Sequence, residues 1–102
     1  IDSVSDVGLG KVIEGIKVLP VLEKLDLCFE MCGKITNSGI KELADALENM
    51  VSLDSLVLNF RENFQINKQG IKYLKKKLEA LTLLDIRIYF DSQEIVSKLF
   101  VS

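Results

Sequence analysis

Two stretches of this chain follow one pattern. "TNSGIKELADALENMVSLDSLVLNF" occupies residues 36–60, and "NKQGIKYLKKKLEALTLLDIRIYF" occupies residues 67–90. Each begins with a small polar residue, reaches a glycine three positions later and continues through an amphipathic stretch. Each then ends in alternating apolar residues that close on a phenylalanine. The pattern indicates a structural unit that the chain encodes more than once.

The pattern extends to the first third of the chain. Gly8, Gly39 and Gly70 are evenly spaced, and from Leu22 onward the step from the second copy to the third is one position shorter. The aligned apolar columns are Val4/Ile35/Ile66, Leu9/Ile40/Ile71, Val12/Leu43/Leu74, Ile16/Leu47/Leu78, Leu19/Met50/Leu81, Leu22/Leu53/Leu83, Leu25/Leu56/Ile86, Leu27/Leu58/Ile88 and Phe29/Phe60/Phe90. A repeat aligned over so many columns predicts a repeat architecture with these residues in the core.

Each copy has two halves with different periods. Between Ile40 and Met50 the apolar residues recur every three or four positions, which is typical of one helix face. Between Leu56 and Phe60 they recur every two positions, which is typical of a strand. Ser5, Thr36 and Asn67 precede the helical halves and suit N-caps. The expected helices are 6–19, 37–50 and 68–81, and the expected strands are 24–29, 55–60 and 85–90.

These elements predict an α/β fold with a curved parallel sheet. Strands separated by a helix run parallel, and helices need more width than strands, so stacked units curve with strands inside and helices outside. The glycine column lies in the first helical turn, where a side chain would strike the neighbouring copy. We expect one domain over residues 1–102, with copies at about 4–29, 35–60 and 66–90. Residues 91–102 form either a partial fourth copy or a cap, and the chain is expected to belong to a longer one.

The repeat resembles the leucine-rich repeat of the ribonuclease-inhibitor-like type, in a divergent form with long units. "ITNSGIKELADALENMVSLDSLVL" carries the resemblance most clearly, and it covers residues 1 to about 90. One departure is that the position where this family carries asparagine or cysteine holds Glu30, Arg61 and Asp91. Asn63 can replace that asparagine in one copy only. The resemblance implies an α/β solenoid with the sheet on the concave face, and a role in binding proteins.

Composition excludes several kinds of site. The chain has no histidine, which removes His-based triads and HExxH zinc sites. Its net charge of −2 disfavours general nucleic-acid binding. No apolar stretch is long enough to span a membrane. Cys28 and Cys32 are too few for a four-ligand zinc site, so we expect free thiols in a reducing, intracellular setting. We expect no cofactor, no metal and no enzymatic activity.

Two short motifs allow both a structural and a functional interpretation. "VGLGKVIEG" contains the GxG of a dinucleotide loop, but Ile13 stands where the third glycine is needed and Gly8 already belongs to the repeat. "KKK" at residues 75–77 joins Lys68 and Lys72 on the third helix. These lysines either form a solvated convex face or meet an acidic partner. Lys77 shares its column with Gly15 and Ala46, so its stem is expected to snorkel out of a crowded place.

The strand residues that alternate with the core columns are expected to face the concave surface, which the resemblance makes the default site for a protein partner. They are Lys24, Asp26, Cys28, Ser55, Val57, Asn59, Asp85, Arg87 and Tyr89. The alternative is that they are ordinary solvent-facing residues. The expected function is a protein–protein interaction scaffold whose ends are covered by adjacent repeats or subunits. The two alternatives are a GTPase-activating or other regulatory module, and an architectural subunit bound through its ends and convex face.

Overall fold

The structure alternates three helices with three strands. It is a computed structural model, and it describes residues 5–19, 21–30 and 34–90. The helices are α1 (Asp6–Lys17), α2 (Asn37–Glu48) and α3 (Lys68–Leu78), and the strands are β1 (Lys24–Cys28), β2 (Ser55–Asn59) and β3 (Asp85–Tyr89). Each helix and the strand that follows it form one unit, numbered one to three. The predicted α/β class with a parallel sheet is confirmed.

The polar column before each helix occupies the N-cap position, as the sequence predicts. The Thr36 side chain accepts a hydrogen bond from the backbone N–H of Ser38, and the Asn67 side chain accepts one from Gln69. The backbone of Ser5 has the same extended conformation, but its side chain makes no cap bond. Side-chain oxygens at this position satisfy N–H groups that have no partner inside the helix, so two of the three helices begin with a stabilised first turn.

The helices end earlier than predicted, at residues 17, 48 and 78 instead of 19, 50 and 81. The last apolar column lies in the turn that follows each helix. Leu19, Met50 and Leu81 each donate a backbone hydrogen bond to the carbonyl three residues earlier. This tighter pattern closes the last turn and leads the chain towards the strand. Leu19 is exposed, so its column is not a core column in unit one.

The sheet has the order β1–β2–β3, and both pairs are parallel. Leu25 pairs with Leu56 and Leu56 with Ile86, so the pairing register reproduces the column alignment found in the sequence. Pairing also continues one residue beyond the strands, since the Phe29 and Phe60 N–H groups donate to the next strand's last residue at 2.7 and 2.8 Å. The predicted strands are therefore confirmed to within one residue.

One core joins the helices to one face of the sheet. Leu56 and Leu58 are fully buried at its centre, and Leu9, Leu43 and Leu74 approach from the helices. At the carboxyl end of the strands the column Phe29, Phe60 and Phe90 forms a stack, in which successive ring centroids are 5.7 Å apart and nearly parallel. Each residue of a core column thus packs against the residue of the same column in the neighbouring unit.

The glycine column has the close contact that the sequence predicts. A methyl group on Gly39 would overlap the Asp6 carboxylate and come within 3.2 Å of a Leu9 methyl group. A methyl group on Gly70 would overlap the Asn37 side chain. Asp6 and Asn37 occupy the first position of the preceding helix, so each glycine makes room for a side chain of the unit before it.

Asn63 is the one buried polar residue among those described. Its side-chain amide donates to the carbonyls of Phe29 at 2.7 Å, Phe60 at 3.0 Å and Arg61 at 3.3 Å. It therefore connects the end of β1 to the loop after β2. Cys32 holds the same column one unit earlier, but it lies outside the described residues.

Burial of the core columns differs between units. Leu25 and Leu27 in β1 are only partly buried, whereas their partners Leu56 and Leu58 in β2 are fully buried. β1 is an edge strand, whereas β2 has a strand on both sides. Ile88 on the other edge strand, β3, is nevertheless only 2% exposed, so an edge position alone does not account for the exposure in β1. The predictions that concern Val4, Cys32, Asp91 and the tail 91–102 fall outside the described residues.

Candidate functional site

The nine candidate residues lie on one face of the sheet, opposite the helices. Parallel pairing in register arranges them in three rows that run across the strands. The rows are Lys24–Ser55–Asp85, Asp26–Val57–Arg87 and Cys28–Asn59–Tyr89. We call this surface the open face. The sequence-based grouping is reproduced because side chains alternate strictly along a strand.

The open face carries both positive and negative side chains, and the ion pair between them is weak. Val57 lies at its centre, between Asp26 on one side and Arg87 on the other. Arg87 approaches Asp85 on its own strand at 3.5 Å, with 63% and 50% of the two side chains exposed. An ion pair as exposed as this contributes little to stability. The charged groups of the face therefore stay available to a partner.

The third row continues into a polar cluster at the carboxyl ends of the strands. The Asn59 side chain donates to Glu30 Oε1 at 3.2 Å and accepts a bond from the Arg61 backbone N–H at 3.1 Å. The Arg61 guanidinium lies 4.5 Å from the centre of the Tyr89 ring, a cation–π distance. Glu30 and Arg61 were not predicted as site residues. The signal was present, because both occupy the same repeat column immediately after the strand end.

Cys28 is an exposed free thiol at the edge of the open face. Within the described ranges, no three residues of the types His, Cys, Asp and Glu come together as a group that could hold a metal ion. Cys32, the second thiol of the CxxxC motif, is not among the described residues. Cys28 therefore contributes an exposed side chain to the face, and the reducing, intracellular setting remains a prediction.

A second polar cluster joins α2 to α3 on the helical side, and it too was missed by sequence reasoning. The Tyr73 hydroxyl donates to Asp45 Oδ1 at 2.7 Å, and the Lys77 ammonium lies 3.2 Å from Glu48 and 3.7 Å from Asp45. The Lys77 ammonium also lies 5.5 Å from the centre of the Tyr73 ring. Lys77 is 27% exposed, in keeping with the expectation that its stem passes through a crowded place.

This helix-side cluster shifts two pKa values. The hydrogen bond to Asp45 raises the pKa of the Tyr73 hydroxyl above its ordinary value, because an ionised phenolate could no longer donate it. The hydrogen bond to Glu48 raises the pKa of the Lys77 ammonium. Both shifts favour the protonated forms that bridge the two helices. The cluster therefore acts as a helix–helix contact.

The other motifs found in the sequence lie on helices. Gly8 and Gly10 lie inside α1, so the GxG stretch is helical rather than a phosphate-binding loop. On α3, Lys68, Lys72 and Lys76 are exposed and Lys75 is partly exposed, whereas Tyr73 and Lys77 contact α2. None of the helices in the described part of the chain is long and apolar enough to cross a bilayer.

A cleft of about 510 Å³, lined by both polar and apolar side chains, lies where α1 and α2 end. It is lined by Ile16, Lys17, Leu19, Leu22, Ala46, Asn49, Met50, Val51 and Ser52. Val51 on its rim is 84% exposed. The cleft is a gap between two successive helix-to-strand turns, on a different edge from the open face.

No family model, no curated protein and no solved structure matches this chain. The assignment to a repeat family therefore depends on the aligned columns and on the registered sheet.

Proposed function

We propose that this chain is a leucine-rich-repeat segment of the ribonuclease-inhibitor-like type, and that it serves as a protein–protein interaction scaffold without catalytic activity. The observation that carries the proposal is the open face. Nine alternate strand residues form three registered rows on one side of the sheet, while the helices cover the other side. A rigid sheet with one uncovered face suits a partner better than mobile loops do.

Contacts between units support a solenoid. α2 packs between α1 and α3, as β2 lies between β1 and β3, and each unit contacts its sequence neighbour. Strands are spaced about 4.8 Å apart, whereas packed helices are about 8–10 Å apart. Units stacked with this mismatch curve towards the sheet, which makes the open face concave and the helical side convex.

The residues of the open face suit protein recognition. Tyr and Arg are enriched among the residues that dominate binding energy, and Arg87, Tyr89 and the adjoining Arg61 lie side by side at one corner of the face. Val57 gives the centre an apolar contact. The mixture of Lys24 and Arg87 with Asp26 and Asp85 favours a partner with both charges rather than a uniformly charged polymer.

The size of the face indicates the kind of assembly. Three strands span roughly 10 Å and five residues along a strand roughly 16 Å, whereas a stable protein interface covers about 800 Å² on each partner. The described face is well below that area. The partner is therefore a short segment, or the face is extended by neighbouring units, which supports a role as part of a longer chain or a larger complex.

The location that we propose is intracellular. An exposed thiol such as Cys28 persists as a free thiol in a reducing compartment. The partner is a protein, and we propose no cofactor, nucleic acid or membrane for the open face.

A second candidate is an architectural subunit bound through its ends. The partial exposure of Leu25 and Leu27 in β1 favours it, because their counterparts in β2 are fully buried. A preceding unit or an adjacent subunit would cover such residues. No contact described here favours the GTPase-activating alternative.

A matched pair of valine substitutions tests the open face. Val57→Arg places a long charged side chain at its centre, while Val51→Arg makes the same change on the exposed loop between α2 and β2. Proteins enriched by the immobilised wild-type chain should be reduced about tenfold by Val57→Arg, as expected for a charge at an interface centre, and retained by Val51→Arg. Equal retention by both variants would overturn the proposal, and selective loss with Val51→Arg would favour binding at the loops. Melting curves verify that both variants fold.

A further inference from the structure

Each of the first two helices uses one side to pack against the helix that follows it. On α2 this side contains Asn37, bonded to Asn67, and Asp45, which accepts a bond from Tyr73. Between them Ala44 is completely buried. We call the side of a helix that faces the next unit its forward flank.

The forward flank of α1 is built in the same way. Asp6 bonds to Thr36 at the start of α2, and Ile13 is 1% exposed. Gly10 lies opposite the Glu42 carboxylate, which would be 2.9 Å from an added methyl group. In two successive units, therefore, this flank is a close helix–helix contact with a buried apolar residue in the middle.

The forward flank of α3 carries different residue types from those of α1 and α2. A shift of one repeat unit carries Asn37, Lys41, Ala44 and Asp45 of α2 onto four lysines of α3. These are Lys68, Lys72, Lys75 and Lys76, which we call the lysine flank. The buried column Ile13/Ala44 becomes Lys75, and the column Asp6/Asn37, whose oxygens hold the next helix cap, becomes Lys68, which has no acceptor oxygen.

The four ammonium groups have no ionic partner in the described part of the chain. Lys77, on the opposite side of α3, pairs with Glu48 and Asp45. No such pair forms for Lys68, Lys72, Lys75 or Lys76 with any described carboxylate. Four like charges follow one another over eight helical steps, or about 12 Å. Their mutual repulsion is relieved when an anionic partner binds.

The charged residues of the chain are unevenly distributed between α3 and the rest of the chain. α3 contains five of the 13 basic residues and none of the 15 acidic ones. The rest of the chain therefore has 8 basic and 15 acidic side chains. A polyanion such as nucleic acid, which extends beyond the flank, would meet the field of this acidic remainder. A short acidic peptide segment needs only the flank itself.

We propose that the lysine flank is a second binding surface, and that its partner is an acidic segment of a protein, with several carboxylates spaced along about 12 Å. A further repeat unit like the first two would not pack against the lysine flank. It would bury Lys75 at the position where Ile13 and Ala44 are buried, and an unpaired charge would lose its water. A partner that supplies carboxylates at this position removes that penalty. This surface is separate from the open face, so the two proposals can fail independently.

The test is the binding of a fluorescent ten-residue peptide of alternating glutamate and serine to the 102-residue chain, followed by anisotropy. We expect binding at low salt that weakens about tenfold or more by 300 mM salt. Lys72→Glu combined with Lys76→Glu should weaken it about tenfold or more, since both side chains are exposed and reverse sign. The matched variant combines Lys11→Glu with Lys17→Glu on α1 and should change the affinity by less than about threefold.

Three results would overturn the proposal. The first is no binding of the acidic peptide by the wild-type chain at low salt. The second is an equal loss in the α1 and α3 variants, which would mean a response to net charge alone. The third is tighter binding of a ten-nucleotide single strand, or of vesicles containing anionic lipid, than of the peptide. An unchanged circular dichroism spectrum confirms that the variants are folded.

Discussion

Asn37 in α2 and Asn67 at the start of α3 are joined by two hydrogen bonds. The Asn67 backbone N–H donates to Asn37 Oδ1 at 3.0 Å, and Asn37 Nδ2 donates to Asn67 Oδ1 at 2.7 Å. One unit earlier, Asp6 accepts from the backbone N–H of Thr36 at 2.9 Å. The first residue of each helix thus holds the cap of the next helix, and the glycine column lies directly beneath it.

A glycine substitution tests this arrangement. Gly39→Ala should lower the free energy of unfolding by about 1–3 kcal/mol, because the new methyl group displaces the Asp6 carboxylate from its bonds with Thr36. Gly15→Ala is the matched change, since an added methyl group meets nothing within 4 Å. It should be neutral or stabilising by about 0.5–1 kcal/mol. Chemical denaturation measures both, and equal effects would contradict the close contact.

A double substitution separates the clash from any general effect of alanine. In the Asp6→Ala background the Asp6 carboxylate is gone, so Gly39→Ala should cost less than it does in the wild type. The expected coupling energy is about 0.5–3 kcal/mol. Additive free energies would show that Asp6 is not what excludes a side chain at residue 39.

The repeat register could be predicted from sequence because each column places one residue type at one position of every unit. Leu25, Leu56 and Ile86 pair as their shared column requires. The early ends of the helices could not be predicted, because Leu19 and Met50 remain apolar whether they continue a helix or close a turn. The contacts that Tyr73 and Arg61 make could not be predicted for another reason. Their partners Asp45 and Tyr89 are distant in the sequence, and single-column patterns do not reveal contacts between different columns.

Leu56 is the centre of the predicted core. Leu56→Ala should cost about 2–5 kcal/mol, because the residue is fully buried between β1 and β3. Val57→Ala, one position along on the open face, should cost less than about 1.5 kcal/mol. Urea unfolding compares the two variants. A stability near that of the wild type for Leu56→Ala would contradict the register.

Asn63 connects two units through its amide group. Asn63→Ala should cost about 1–3 kcal/mol, because the Phe29 and Phe60 carbonyls lose their buried donor. Asn63→Asp should cost more at pH 7, since a carboxylate would face carbonyl oxygens. That extra cost should shrink as the pH falls, because a protonated carboxyl group can donate. Unfolding at pH 4 and pH 7 measures the difference, and an equal cost at both would contradict the role of the amide as donor.

The raised pKa of Tyr73 predicts a dependence on alkaline pH. A group whose pKa is higher in the folded state stabilises the fold below its unfolded pKa and loses that contribution as the pH rises through the folded value. The Tyr73–Asp45 contact therefore stabilises the chain at neutral pH and weakens above about pH 10. Tyr89→Phe leaves one tyrosine, whose absorbance then reports Tyr73. Adding Asp45→Asn should lower the titration midpoint, and an unchanged midpoint would exclude Asp45 as the cause.

The partly buried leucines of β1 predict self-association of the isolated chain. Leu25 and Leu27 lie on an edge strand, which can pair with a second copy. Sedimentation velocity at several concentrations should show species larger than a monomer below about 100 μM. A modest apolar contact between two copies is enough for a dissociation constant in this range. A stable monomer throughout that range would show that the ends need no neighbour.

We propose that the open face is where this chain binds its protein partner. A photoreactive phenylalanine analogue placed at Val57, and in a second variant at Val51, tests it directly in cells. With the probe at Val57 we expect one prominent crosslinked protein, which is lost when Arg87→Glu and Tyr89→Ala are added. With the probe at Val51 we expect little crosslinking. Crosslinking at Val51 with none at Val57 would contradict the claim.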